Sequence, residues 1–241
     1  MSELFASHYA TFMPGLKSIL QTTPSETQAQ KDLRSSCIAS IGTIFESVKD
    51  QPEMCKADAH EVMQSFLQFM ALQSAKDGES APKDEADPQI IAIQNAIPQL
   101  AALLKSEFVN YLPQVMDSLM KDAANNVDMK IVSAKEAELE NADDADGPAT
   151  AGEMPKMTLS IKGVEGPLQI HMNTAALENK TSALQIIKGL ASSLGPLFID
   201  FVQPVAKLVV TELMHFQIST SVRKIATKIL SVLLMCTKDQ G

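Results

Sequence analysis

Residues able to do chemistry are few in this 241-residue chain, and their spacing assembles no reactive centre. The four histidines, His8, His60, His171 and His215, never stand at i, i+4 from another histidine or a cysteine. His60-Glu61 opens like a zinc-protease helix and lacks the second histidine, so each imidazole reads as a surface or packed side chain. Cys37, Cys55 and Cys236 are widely spaced and odd in number, which offers neither a metal knuckle nor a disulfide framework. A reducing compartment, cytosol or nucleus, is the simplest setting for them. No GxxxxGK(S/T), GxGxxG or GxSxG pattern occurs. Asn179-Lys180-Thr181 fits a glycosylation sequon, but no basic segment with an apolar signal core opens the chain. These residue types predict no enzyme, no cofactor and no bound metal.

Charge is the chemistry that remains. The formal net charge is −9, and it comes from two segments. Residues 128–153 carry eight acids against Lys130 and Lys135, and residues 76–88 carry five acids against Lys76 and Lys83. Elsewhere the signs balance, so no global basic field is present to attract nucleic acid or an anionic membrane. Apolar runs such as 229–236 are shorter than the ~18–20 residues a membrane helix needs. Both acidic segments are rich in Ala, Gly, Ser and Pro and read as solvated loops. Such a loop either keeps a protein soluble or meets a basic partner. Glu136, Glu138, Glu140, Asp143, Asp144 and Asp146 are the candidate contacts.

The elements that must position these loops read as helices. Aromatic content is only 5%, with no Trp, whereas strands favour aromatic and β-branched residues. Leu33, Cys37, Ile41, Ile44, Phe45 and Val48 form one apolar stripe at helical spacing, behind a capping box predicted at Thr23-Pro24-Ser25-Glu26. Cys55, Ala59, Val62, Phe66, Phe69 and Met70 form the next. Asp87-Pro88 opens a helix carrying Ile90, Ile93, Ile97, Leu100 and Leu104, with Pro98 inside it as a kink or a lost hydrogen bond. Further helices are expected over 177–194, 196–214 and 220–236. Residues 156–172 differ: Met157–Ile161 and Leu168–Met172 alternate about a Gly-Pro turn, which predicts a short β-hairpin.

The helices repeat. Tyr9-x-x-Phe12-Met13-Pro14, Phe108-x-x-Tyr111-Leu112-Pro113 and Phe198-x-x-Phe201-Val202 open three A-type helices, and 55–63 is a degenerate fourth copy. The following B-type helices begin polar or basic and continue small-then-large: Arg34 with Cys37 and Ile41, Lys180 with Ala183 and Ile187, Arg223 with Ala226 and Leu230. The markers Leu16, Val62 and Val115 lie close to the ~40–47-residue unit of helical-pair solenoids. The step to Val205 is about one unit longer, the room for an insert at 123–175, because a connection between two docked helices lengthens cheaply. The chain is therefore expected to be all-α: about four helix pairs over 1–241, an acidic loop at 76–88 and an acidic insert at 123–175 containing the hairpin.

In this pattern the chain resembles a HEAT-repeat segment of the importin-β (karyopherin-β) superfamily, most similar to the middle of its importin-five, or karyopherin beta three, branch. The residues that carry the likeness are Phe12-Met13-Pro14-Gly15-Leu16-Lys17, Asp87-Pro88-Gln89-Ile90, Glu107-Phe108-x-x-Tyr111-Leu112-Pro113-x-Val115-Met116, and Leu177-Glu178-x-Lys180-x-x-Ala183. The branch follows its Asp-run with an aromatic pair, whereas Asp143-Asp144-Ala145-Asp146 is followed by Gly147-Pro148, so no aromatic contact is implied there. The resemblance implies a right-handed α-solenoid that binds basic nuclear-localisation-signal cargo on its B-helices, carries FG-repeat nucleoporins on its A-helices, releases cargo to Ran-GTP, and shuttles between cytoplasm and nucleus. Direct nucleic-acid binding and membrane insertion are not implied. Under that likeness Asp32, Gln94, Asn95 and Gln185 are candidate cargo-binding residues. A structural HEAT scaffold or regulatory subunit, without Ran or nucleoporin binding, needs the same repeats and is the alternative.

Overall fold

Short polar side chains ahead of apolar stripes set the helix starts. In the computed structural model, which describes residues 2–76, 87–127, 129–133, 157–159, 168–172 and 174–238, eight α-helices are present. They are α1 (Ser2–Thr22), α2 (Gln28–Val48), α3 (Pro52–Lys76), α4 (Pro88–Leu104), α5 (Leu112–Ala124), α6 (Thr174–Leu194), α7 (Ile199–Leu208) and α8 (Thr220–Thr237). Asp87 caps α4 by accepting the Gln89 N–H at 2.9 Å, with Pro88 in the first turn where its missing N–H costs nothing. The capping box expected at Thr23–Glu26 lies four residues later. α1 runs on to Thr22, and the Thr23 N–H closes back on the Ile19 carbonyl at 2.9 Å. Thr27 then caps α2, and the Gln30 side chain returns a bond to the Thr27 N–H at 3.0 Å.

The helices pack as four pairs in chain order, α1/α2, α3/α4, α5/α6 and α7/α8, and the second members stack in a row α2–α4–α6–α8. Small residues let the backbones of that B layer approach. A Cβ on Gly42 of α2 would stand 3.2 Å from the Ala96 Cβ of α4, and one on Gly189 of α6 would stand 3.3 Å from Pro98. Pro98 lies inside α4, and Gly189 gives its ring room. The stripes read from the sequence form the core: Phe45, Phe108 and Phe198 are fully buried, with Ile41, Ile97 and Leu119. Leu33 is a correction, being 49% exposed at the edge of the stripe, one turn before buried Cys37.

Two A-type helices are preceded by a tight 3-10 turn, Lys105–Asn110 before α5 and Gly195–Phe198 before α7, and these turns pack on each other. Lys105 and Gly195 open them with positive φ, 47° and 53°, the second at no steric cost and the first with strain. α7 is extended by a π-helical turn, Val209–Leu213. By length and composition 176–213 is apolar enough to cross a membrane, with a window of mean hydropathy 1.4, more than the sequence reading allowed. The Gly195-Pro196 break divides it into α6 and α7.

Three strands lie between α5 and α6 in sequence: β1 (Met129–Ser133), β2 (Met157–Leu159) and β3 (Leu168–Met172). β3 is central and antiparallel to both, with Ile131 opposite Ile170 and Thr158 opposite Gln169. β1 corrects the reading of 128–153 as loop throughout. Its Met-Lys-Ile-Val-Ser run is β-prone, and the acids around it masked the signal.

Candidate partner-binding surfaces

The basic residue that opens three B-helices reaches back to carbonyls at the end of the preceding A-helix or in the connection after it. The Arg34 guanidinium donates to the Leu20 and Thr23 carbonyls at the end of α1 and to Gln89 Oε1 at 2.6 Å, and it lies 6.0 Å over the Phe69 ring. Lys180 donates to the Ala123 carbonyl at the end of α5, 5.2 Å from the Phe216 ring. Arg223 donates to the carbonyls of Phe216, at 2.8 Å, and Gln217. A cation there satisfies free carbonyls and complements the helix dipole. Burial pushes the Lys180 amine below the ordinary lysine range, although the Glu212 charge opposes it. In α4 the position belongs to Gln89, which is buried and bonds Arg34, Ser25 and Asp87.

Neighbouring A-helices meet through long side chains. Asp58 of α3 accepts from Lys17 Nζ and Tyr9 Oη of α1, each at 2.8 Å, and Lys17 also pairs with Glu61. Burial raises the Tyr9 phenol pKa, and the bond to Asp58 raises it further. On the other side of α3, Glu107 pairs with Lys56 at 2.5 Å and with His60 Nε2 at 2.7 Å, while His60 Nδ1 meets Tyr111 Oη at 2.8 Å. Sequence reading took His60 as a surface or packed histidine and missed this bridge, whose members lie about one repeat apart.

Behind the Lys17–Glu61 pair lies a cavity of about 100 Å³ whose apolar wall is Leu20, Ile38, Val62, Phe66, Phe69 and Ile93. Its wall comes from four helices, α1 to α4. A second, wider groove of about 450 Å³ runs between Phe12 and Leu16 of α1 and Ala39, Thr43 and Ile44 of α2.

The candidate cargo residues do not share one environment. Asp32, Asn95 and Gln185 are exposed on α2, α4 and α6. Gln94 is a correction: it is 7% exposed and directs its amide to Asp122 of α5 at 3.4 Å, so packing rather than a partner occupies it. Glu136, Glu138, Glu140, Asp143, Asp144 and Asp146 lie outside the described residues. Among the described residues no group of three His, Cys, Asp or Glu side chains is placed to hold a metal ion.

Four helix pairs in one row are an arrangement also found in solved structures. The chain superposes on Kap121p bound to RanGTP and on Kap121p bound to Pho4p, each with a TM-score of 0.70 and 20% identity over 96% of this chain. The fold is that of this part of Kap121p. In sequence the chain is 23% identical over 233 residues to importin subunit beta-3 of Saccharomyces cerevisiae (strain ATCC 204508 / S288c). No family model matches. The chain spans 19% of the length of that relative and of the Kap121p chains.

Proposed function

We propose that this chain is a segment of a nuclear transport receptor that takes up cargo carrying a basic localisation signal and gives it up to Ran-GTP. The observation that carries this reading is the collinear match of nearly the whole chain, in sequence and in fold, to a karyopherin solenoid. The exposed Asp32, Asn95 and Gln185 of the B layer serve as polar contacts for an extended signal, their carboxylate and amides bonding its backbone and lysine heads. The cavity at the α1/α3 seam suits an aromatic side chain, such as the Phe of an FG-repeat nucleoporin, entering from the A layer. The six acids from Glu136 to Asp146 supply diffuse, salt-sensitive attraction to a basic surface of cargo or Ran. Such a receptor works in cytoplasm and nucleus, binds without catalysing a reaction, and needs no cofactor.

A pull-down with Ran-GTP, an FG-repeat fragment and a basic signal peptide tests it on the full-length receptor. Expected are binding of all three and displacement of the signal peptide by Ran-GTP. Binding of none of them overturns the reading. Replacement of the six acids with Ser or Asn is expected to slow association with basic cargo and flatten its salt dependence. An unchanged rate and slope would show that the segment contacts neither.

A further inference from the structure

Arg34, Lys180 and Arg223 stand at equal places on α2, α6 and α8, yet they are not equally occupied. Arg223 spends both terminal nitrogens, Nη1 on the Phe216 and Gln217 carbonyls and Nη2 on Thr220 Oγ1 at 3.2 Å. Lys180 is buried, and its ammonium rests on the Ala123 carbonyl. Arg34 spends Nε on Gln89 Oε1 and Nη1 on the Leu20 and Thr23 carbonyls, and to the described residues its Nη2 makes no hydrogen bond. Among the described residues no carboxylate pairs with it either. Its acceptors are all neutral, and Asp87, on the far side of Gln89, is paired with Lys31 at 3.2 Å. A part-buried guanidinium with a free fork of N–H groups and no counter-charge is a receptor for an anion.

That guanidinium lines the cavity enclosed by α1 to α4. Most of the remaining wall is apolar, Phe66 and Phe69 included, and exposed Gln21, Glu61 and Ser65 stand at its solvent side. Glu61, the acid in the lining, is engaged by Lys17. Apolar walls with a polar anchor are the usual form of a small-molecule site. An apolar cavity of ~150 Å³ admits benzene, so one of about 100 Å³ with a solvent side takes a single ring or a short carbon chain. We propose that this cavity binds a small apolar monocarboxylate of arylacetate size, its ring or chain against Phe66 and Phe69 and its carboxylate accepting from Arg34 Nη2. The acid and an aromatic side chain entering the same cavity exclude each other. Engagement of such a side chain by the A layer would therefore respond to the concentration of a small acid.

The test compares a charged probe with its uncharged twin. para-Fluorophenylacetate and para-fluorophenylacetamide are each titrated to ~10 mM into the full chain near neutral pH, where the acid is ionised, and binding is read from fluorine NMR line widths. The acid is expected to bind about tenfold tighter than the amide, because a charge-assisted bond to Arg34 is open to it alone. Arg34→Gln should bring the acid down to the affinity of the amide, and Ser65→Trp, at the solvent side of the cavity, should weaken both. Circular dichroism checks that each variant keeps its helices. Equal binding of acid and amide by the unsubstituted chain overturns the proposal whatever the variants do, and so does binding of neither. A preference for the acid that survives in folded Arg34→Gln, or binding untouched by Ser65→Trp, puts the acid elsewhere and overturns it too. No nucleoporin is present in these titrations, so their outcome is separate from that of the pull-down.

Discussion

The first three A-helices and the last one are joined in unlike ways. α1, α3 and the 3-10 turn that leads into α5 are linked by ion pairs and hydrogen bonds between side chains, centred on Asp58 and Glu107. Among the described residues no ion pair joins α5 to α7; there the 3-10 turns that carry Phe108 and Phe198 pack on each other, and both rings are fully buried. The contrast teaches that one repeat architecture tolerates two kinds of seam. An apolar seam is fixed by shape, whereas a polar seam is set by its surroundings.

Breaking the apolar side should cost most. Phe198→Ala removes a fully buried ring and is expected to lower the unfolding free energy by about 3–5 kcal/mol, with little dependence on salt, in urea denaturation. Asp58→Ala should cost less, about 1–2 kcal/mol, since its carboxylate is part-exposed, and its loss leaves the Tyr9 hydroxyl without its acceptor and Lys17 with Glu61 alone. That loss should depend on pH. Burial raises the Asp58 pKa, but the bonds and charge from Lys17 and the Tyr9 hydroxyl outweigh it and hold the carboxyl below its ordinary value. A group depressed on folding stabilises above its unfolded pKa, and the stabilisation fades as pH falls through the folded value. The gap between the parent chain and Asp58→Ala should therefore be full near neutrality and close in strong acid.

A gain is expected at the junction between α4 and the turn before α5. Lys105 holds φ 47° there, where the matching junction has Gly195, so Lys105→Gly should raise stability by about 0.5–1 kcal/mol in the same denaturation series. The smallest effect belongs to Glu107→Gln, whose ties to Lys56 and His60 are solvated. Its midpoint should fall slightly at low salt and coincide with the parent's at high salt, and a salt-independent loss would contradict a polar seam.

The helix pairs were legible in the sequence because burial writes itself at fixed intervals. Cys37, Ile41 and Phe45 on α2, or Leu112, Val115 and Leu119 on α5, recur at the spacing that one side of a helix demands, and all are buried. The anchors Arg34, Lys180 and Arg223 were visible as basic residues at equal places, but their task, holding carbonyls at or just past the end of the preceding helix, needed those carbonyls in space. The A-layer ties had no such mark. Lys17 and Asp58, or Lys56 and Glu107, are ordinary surface residue types separated by about a repeat, and their pairing depends on the register of two helices. Gln94 failed for the opposite reason: an amide beside exposed Asn95 was read as solvated, and the turn of α4 carries it inward toward Asp122.

Lys180 has a consequence for the order in which the chain assembles. α1 and α2 are joined by residues 23–27, five in all, whereas α5 and α6 are separated by residues 125–173, forty-nine in all. In an unfolded chain, bringing the longer pair of ends together costs about 2 kcal/mol more entropy than the shorter. The α5/α6 contact is thus the least local of the four pairings, while α6 reaches α7 through a four-residue turn at once. During refolding, amides of α1 and α2 should gain protection from exchange before those at the end of α5, whose Ala123 carbonyl waits for the buried ammonium of Lys180. The amine that closes that gap acts as a late latch, fastened after its neighbours have formed the surface it presses against.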